Sequence, residues 1–497
     1  MRVFFRYVSL AAAGLCLAAL AASAGFAATK HKKHAAHRMR VHATRGTAPL
    51  RTALFDPYTF SGASDLAYAK ADAAGASYVR LPLNWSSVVP AVRPAGFVAS
   101  DPSSQGYSWA WHDATVKAAE DAGLTPILDI VSAPKWAYAV RPKGKKAGTP
   151  RPALLGQFAK ALATHYDGKH GVPAVHVFQV WNEPNNSLDL SPVKPSVYRA
   201  MVNAVAAGVH AVNRNNVVVA GGLDPFENQT PHFVSKAPLA YMRSPLCLSM
   251  GNPKAKQARL RRPHATCKAR IHFDVWSHHP YTHGGPFGHA KRKDDVSLGD
   301  LPKMRTVLRT AVKLHRITSR HRVQFWVTEF SWDTKPPRRH AAPIKLQARW
   351  TAESLYQMWR SGVTTVTWFL LQDRPGRSPY QSGLYFHSKS LAKARAKPTL
   401  TAFRFPFVAY LGKRTVRVWG RDATSSKKLV TIQRRHGHGS WRTVALVRSN
   451  RSGIFKATLK LEATKKDWLR ARAAGSGNSL AFSLTVPKNH RFGPWGN

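Results

Sequence analysis

The sequence predicts an α/β protein, with a (β/α)8 (TIM) barrel over residues 52–406 followed by a small C-terminal β-sandwich over 407–497. Three observations predict it. Across the first of these regions, short β-rich runs alternate with stretches of helical periodicity, the pattern of a parallel sheet whose crossovers are helices. The β-rich runs number eight, and eight strand–helix units in roughly 350 residues fit a closed barrel with insertions. Past Phe407 the helical pattern stops and short alternating strands take over, separated by turns such as His438-Gly439-Ser440 and Gly475-Ser476-Gly477.

Taken in order, the chain opens with Arg2 and Arg6 ahead of an apolar run from Val8 to Ala22, then the small residues Ala22-Ser23-Ala24. Residues 1–24 read as a secretory signal peptide. The run is shorter than the ~20 apolar residues a spanning helix needs, which favours export over a membrane anchor. Export implies an extracellular location, with the cell wall as the place of retention that the charge suggests. Residues 25–51 are basic and His-rich, with Lys30, Lys32, Lys33, Arg38, Arg40 and Arg45 and few bulky apolar side chains. Such a stretch is expected to be a disordered arm.

The barrel strands are expected at 53–55, 78–83, 125–130, 176–181, 217–220, 273–277, 324–328 and 363–370. Between them, Leu154, Phe158, Leu162 and Tyr166 mark one helix, and Tyr198, Met201, Val205, Val209 and Val212 another. Asp113 is placed to cap the helix that ends before Gly123, and Gly362 to stop the one through Trp350, Leu355 and Trp359. The longest insertion, from about Phe226 to Ile271, holds Cys247 and Cys267, the two cysteines of the mature chain. An even pair in an exported protein predicts a disulfide, and neither cysteine stands in a metal-ligand spacing. In the C-terminal region Trp441 and Trp468 are expected in the core, with a carbohydrate-binding platform as the sharper alternative.

Composition adds one abnormal number: 75 Lys and Arg against 24 Asp and Glu, formally +51. Such a surface attracts polyanions, less so as salt rises. Nucleic-acid binding has no motif behind it beyond that charge, and export argues against it.

Chemistry points to two of the six glutamates, Glu120, Glu183, Glu227, Glu329, Glu353 and Glu462. Glu183 follows Val180-Trp181-Asn182, and Glu329 follows Trp326-Val327-Thr328, each directly at the C-terminal end of a predicted strand. In a barrel of this type those ends face one cleft. Glycosidic cleavage needs such a pair, one carboxyl to protonate the departing oxygen and the other to attack the anomeric carbon or activate water. Either glutamate alone would read as an ordinary ion-paired or solvated side chain.

Val180-Trp181-Asn182-Glu183-Pro184-Asn185 resembles the fourth-strand Asn-Glu-Pro signature of the large clan of retaining glycoside hydrolases with families 5, 39, 42 and 51, the cellulase superfamily, and Trp326-Val327-Thr328-Glu329 resembles its seventh-strand motif. The resemblance covers the barrel, not the arm or the C-terminal region. It implies a cofactor-free O-glycosyl hydrolase acting on a poly- or oligosaccharide by double displacement, with Glu183 as acid/base and Glu329 as nucleophile. By the same resemblance Arg80 steadies the nucleophile, Asn182 bonds the sugar hydroxyl beside the anomeric carbon, His279 and Tyr281 in Ser277-His278-His279-Pro280-Tyr281 touch substrate, and Trp368 stacks under the reacting sugar. The stretches Tyr107-Ser108-Trp109-Ala110-Trp111 and Ser382-Gly383-Leu384-Tyr385-Phe386 look closer to family 39 than to family 5, which would put Trp136 in the cleft.

Other readings stand beside these. Arg80 could pair with an acid, Trp368 could fill the barrel, and His278, His279 and His283 could form a zinc site, although no HExxH-type spacing accompanies them. For the whole chain the rival is a non-catalytic polyanion or wall-binding protein on a glycosidase scaffold. Binding alone would not require two carboxylates at the ends of strands four and seven.

Overall fold

The computed structural model describes residues 41–495 apart from 47, 63, 145–146, 377, 425 and 488–491. The expected signal peptide and most of the expected basic arm lie outside the described residues. Eight parallel strands close into a barrel: β1 (Arg51–Phe55), β2 (Tyr78–Asn84), β3 (Thr125–Val131), β4 (Val177–Val180), β5 (Val217–Leu223), β6 (Val275–His278), β7 (Gln324–Val327) and β8 (Thr365–Phe369). Every strand expected from the sequence is present, displaced by a few residues at the ends. The outer layer is built from α1 (Asp65–Ala73), α2 (Ala110–Asp121), α3 (Pro152–His165), α4 (Pro195–Val212), α5 (Pro238–Arg243), α6 (Leu301–Lys313), α7 (Ile344–Arg360) and α8 (Pro398–Arg404).

Strand alternation divides each strand between lumen and helices. The lower lumen is filled by Ile127, Val177, Val219, Val275 and Trp326, a dry plug with Tyr78 and Val217 against it. One turn of the pleat higher, the same faces carry Arg80, Asp129, Gln179, Ser277 and Thr328, all buried. Polar groups there survive burial only by bonding one another, so the register of β2, β3, β4 and β7 builds the floor of the cleft.

Helices follow the expected periods. Phe158, Leu162 and Tyr166 are buried in and after α3, and α7 ends at Arg360 with Gly362 at φ 82 just beyond. Asp113 lies inside the first turn of α2, where it accepts from Tyr166 Oη (2.9 Å) and meets His165 Nε2 (2.8 Å). The expected cap is thus a cross-helix link instead. Cys247 and Cys267 are bridged across the β5–β6 insertion, Cα to Cα 5.2 Å, beside the short ladder of Leu248–Ser249 with His264–Ala265.

Beyond the barrel, β9 (Phe407–Leu411), β10 (Thr415–Arg421) and β13 (Ile454–Lys460) form one antiparallel sheet. The second holds β11 (Leu429–His436), β12 (Arg442–Arg448) and β14 (Asp467–Ala473). Their apolar faces join one continuous core with the barrel's outer layer. The sandwich sits on α7: Trp419 packs against Tyr356 and Trp359 at 5.3 and 5.7 Å, and Arg349 Nη1 donates to Ser483 O (2.8 Å).

Two expectations change here. The arm was expected to run to residue 51, but Val41–Ala43 is a strand paired in parallel with Leu446, Val447 and Arg448 of β12, and Arg51 already belongs to β1. Neighbouring backbone, invisible in local composition, supplies the hydrogen bonds. Trp441 and Trp468 are half-buried and not core; the guanidinium groups of Arg435 and Arg470 pack on the Trp441 ring, 4.9 and 4.3 Å from its centre. Among the described residues, no helix is long and apolar enough to cross a membrane.

Candidate active site

Glu183 and Glu329 leave the ends of β4 and β7 into one hydrogen-bonded network at the C-terminal face of the barrel. Arg80 is its hub. Fully buried on β2, it donates through Nη1 to Glu329 Oε2 (3.0 Å) and through Nη2 to Asp129 Oδ2 (2.6 Å) and Asn182 Oδ1 (2.8 Å). Burial alone would disfavour the charge, but the coulombic pull of Asp129 and Glu329 overrides it and raises the Arg80 pKa. Asn182 passes the chain on, its Nδ2 donating to Asp189 Oδ1 (3.0 Å).

The two glutamates have unlike surroundings. Glu329 accepts from Arg80 and, on its other oxygen, from Tyr281 Oη (2.7 Å). Glu183 has no guanidinium of its own. Asn186 Nδ2 donates to its Oε2 (2.8 Å), and His279 Nδ1 faces its Oε1 (2.9 Å). Desolvation pushes the Glu183 carboxyl well above the usual range, and the nearby charges of Asp224, Asp189 and Glu329 push it further, with Arg80 opposing. Burial likewise raises Asp189 to about 7 and Asp224 to about 6. Desolvation, followed by the Arg80 and His278 charges, holds His279 well below its ordinary value, so its ring is neutral. Its Nε2 meets Thr328 Oγ1 at 3.1 Å, and either tautomer satisfies both ring contacts.

Local backbone explains how Glu183 is aimed. Trp181 and Glu183 both take positive φ, 68° and 35°, a region costly for side chains this size. Trp181 is kept there by its indole N–H, which donates to Asp189 O (2.8 Å), and Glu183 by its own N–H to Gly222 O (3.1 Å). Beside it, Gly221 at φ 96° lets β5 lie close against β6: a Cβ there would meet the Ser277 carbonyl oxygen.

Of the residues expected around the pair, Arg80, Asn182, His279 and Tyr281 are brought to it. His279 is fully buried against Glu183 and holds that carboxyl, so it is not a substrate contact. Trp368 and Trp136 are not brought to it. Trp368 pairs with Leu54 on the outward face of the sheet, is 1% exposed, packs on Phe330 and Phe403, and gives its indole N–H to Ser382 O (2.9 Å). No sugar can stack on it. Strand parity is the reason: Thr365, Thr367 and Phe369 share the lumen face, and Phe369 packs on Phe55 at 5.4 Å and on Tyr380 at 5.2 Å. Trp136 lies in a separate aromatic cluster with Trp85 and Phe97, its indole donating to Pro90 O (3.0 Å).

The three candidate zinc histidines diverge: His278 Nε2 meets Val296 O (2.9 Å), His279 meets Glu183, and His283 packs on Phe226. Among the described residues no group of three His, Cys, Asp or Glu is placed to hold a metal.

Sequence reasoning missed Asp129, Asn186, Asp189, Asp224 and Tyr380. A lone aspartate in the apolar strand Pro126-Ile127-Leu128-Asp129-Ile130 was a usable signal for the first. Tyr380 arrives on the loop after β8, its hydroxyl within electrostatic reach of Glu329 and Glu183. Nothing local in the sequence marks it.

Comparison with known proteins agrees with this geometry. The sequence matches the cellulase family (glycosyl hydrolase family 5) over residues 43–316. No curated protein matches the chain. Among solved structures, a GH39 enzyme from Xanthomonas axonopodis pv. citri is similar at TM-score 0.50 and 14% identity, over 87% of this chain and 94% of that one. A monomeric beta-xylosidase from Caulobacter crescentus CB15 follows at TM-score 0.49 and 13% identity, over 86% and 98%. At such identities the Xanthomonas structure speaks for the fold alone. The sequence match, the closed barrel and the paired glutamates together assign this chain to the cellulase family, glycosyl hydrolase family 5, as a glycosidase of the (β/α)8 clan.

Proposed function

We propose that the protein is an exported retaining glycosidase that cleaves a poly- or oligosaccharide by double displacement. The observation that carries this reading is the division of labour between the two glutamates. Glu329, between the Arg80 guanidinium and the Tyr281 hydroxyl, is the attacking carboxylate; both donors fix its orientation without blocking the remaining lone pairs. Glu183, half-buried and crowded by carboxylates, keeps its proton and delivers it to the departing oxygen. Attack by Glu329 on the anomeric carbon breaks the glycosidic bond and forms a glycosyl ester. Glu183, now a carboxylate, takes a proton from a water that attacks the anomeric carbon from the face opposite Glu329, breaking the bond to Glu329 and releasing its carboxylate, and configuration is retained. Asn182, held by Arg80 and Asp189, is placed to bond a sugar hydroxyl through this cycle.

Export is supported by the charged, apolar and small-residue sequence of 1–24, and retention on anionic wall polymers by the formal charge of +51. The test of mechanism is NMR of the first products from aryl glycosides. Retained configuration is expected, Glu329→Gln inactive, and Glu183→Ala slow but accelerated by azide on substrates whose leaving group needs no proton. An initial product of inverted configuration would overturn the nucleophile assignment.

A further inference from the structure

The last described residues return to the catalytic face. Phe492 O accepts from Gly284 N (2.8 Å), in the loop after β6, and Pro494 O accepts from Asp333 N (2.8 Å), in the loop after β7. Trp495 O accepts from Arg338 Nη2 (3.1 Å). These anchors all fall on tail carbonyls and leave the Trp495 side chain to other uses. Its ring lies 5.0 Å from that of Tyr281, at 45°, and Tyr281 is the residue that donates to Glu329.

Trp495 differs from the tryptophans that build the core. Trp276, Trp332 and Trp368 are fully buried, whereas Trp495 is half-buried, and its indole N–H has no acceptor among the described residues. A broad apolar face with an indole N–H at its edge suits a sugar ring, which offers C–H groups on its faces and hydroxyls around its rim. Tyr281, by contrast, is almost wholly covered and spends its hydroxyl on Glu329. Tyr380 and the Arg374–Tyr58 pair, 3.6 Å from guanidinium carbon to ring centre, belong to the loops after β8 and β1. The cleft is therefore walled on one side by a residue that does not belong to the barrel.

We propose that Trp495, carried to the catalytic face by the C-terminal tail, is a stacking wall for the saccharide next to the sugar held at Glu329, so that the tail takes part in substrate recognition. The proposal rests on the glycosidase reading of the same cleft and deepens it. The sandwich and tail are then not a detachable appendage: removing them removes a wall of the site.

Two measurements test it on the full chain. In an inactive Glu329→Gln background, titration with cello-, xylo- and galacto-oligosaccharides of two to five sugars reads binding without turnover. Trp495→Ala is expected to weaken the best ligand by about tenfold, Trp495→Phe to retain most of the affinity, and Trp495→Leu, apolar but without a ring, to lose as much as alanine. In the active protein the same substitutions should raise KM for oligosaccharides while leaving kcat and its pH profile in place. Unchanged affinity and KM in Trp495→Ala would overturn the proposal. So would a shifted pH profile at constant KM, which would mean that Trp495 acts only by propping Tyr281. Equal affinity of the Phe and Leu variants, both of which keep an apolar side chain for the fold, would overturn it as well. Failure of wild-type protein to turn over any glycoside is a separate result that removes the catalytic reading and leaves the binding comparison to stand or fall alone.

Discussion

Arg80 Nη1 and Glu329 Oε2 stand 3.0 Å apart, and the same guanidinium, with no exposed surface, also holds Asp129 and Asn182. One side chain thus fixes the proposed nucleophile, a buried acid and the asparagine beside Glu183. Three acceptors in different directions need a planar fork of donors, which a lysine ammonium cannot reproduce.

Arg80→Met should therefore lose about 3–5 kcal/mol of stability, because it leaves Asp129 buried and unpaired. Arg80→Lys should recover part of that stability but little of the turnover. Urea unfolding and kcat, measured together, check both statements. Near-native turnover in the lysine variant would show that the fork geometry is not needed.

The pH profile should carry the signature of the crowded carboxylates. With Glu183 as the proposed acid, turnover needs it protonated, so kcat/KM should fall as pH rises through its raised pKa. Asp189→Asn removes one of the charges that hold that proton, and the alkaline limb should move to lower pH. Stability should change with the opposite emphasis. Asp189 titrates at about 7 in the fold, above its unfolded value, so its neutral form stabilises at low pH and that contribution is lost as pH rises through about 7. The asparagine variant should not show this loss. An unmoved alkaline limb would sever Asp189 from Glu183.

His279 should matter in proportion to how much help the leaving group needs. Held at 2.9 Å from Glu183, it is in position to orient the proposed acid. His279→Ala should lower kcat by roughly 10²-fold on poor leaving groups and much less on dinitrophenyl glycosides, since general acid catalysis is worth about 10²–10⁴. A uniform loss on both substrates would point to a collapsed cleft instead.

The basic arm should act as a salt-sensitive tether to anionic wall material, but its removal has to stop short of Val41, which pairs with β12. Deleting 29–40 takes out Lys30, Lys32, Lys33, Arg38 and Arg40. Retention on anionic polymer at low salt should drop while turnover of a small soluble glycoside is unchanged. Equal retention of the shortened protein would remove the tether idea.

Legibility in the sequence followed the range of the interaction. Strand and helix periods, the turns after Phe407 and the positions of Glu183 and Glu329 at strand ends are local patterns, and the structure bears out the closed barrel they predict. Arg80, Asn182 and Tyr281 could be named through the resemblance that the strand-end motifs carry, and the structure brings all three to the pair. Trp368 was misplaced by one residue, and one residue is enough to turn a side chain from lumen to helix layer, since the strand period is two. What the tertiary structure alone decided is everything supplied from far away in the chain: Tyr380 from the loop after β8, Asp189 and Asp224 crowding Glu183, the strand Val41–Ala43 lying on β12, and Trp495 brought against Tyr281. Composition and spacing record which side chains are present, whereas electrostatic crowding and aromatic contact depend on distances that exist only after the barrel has closed and the tail has docked.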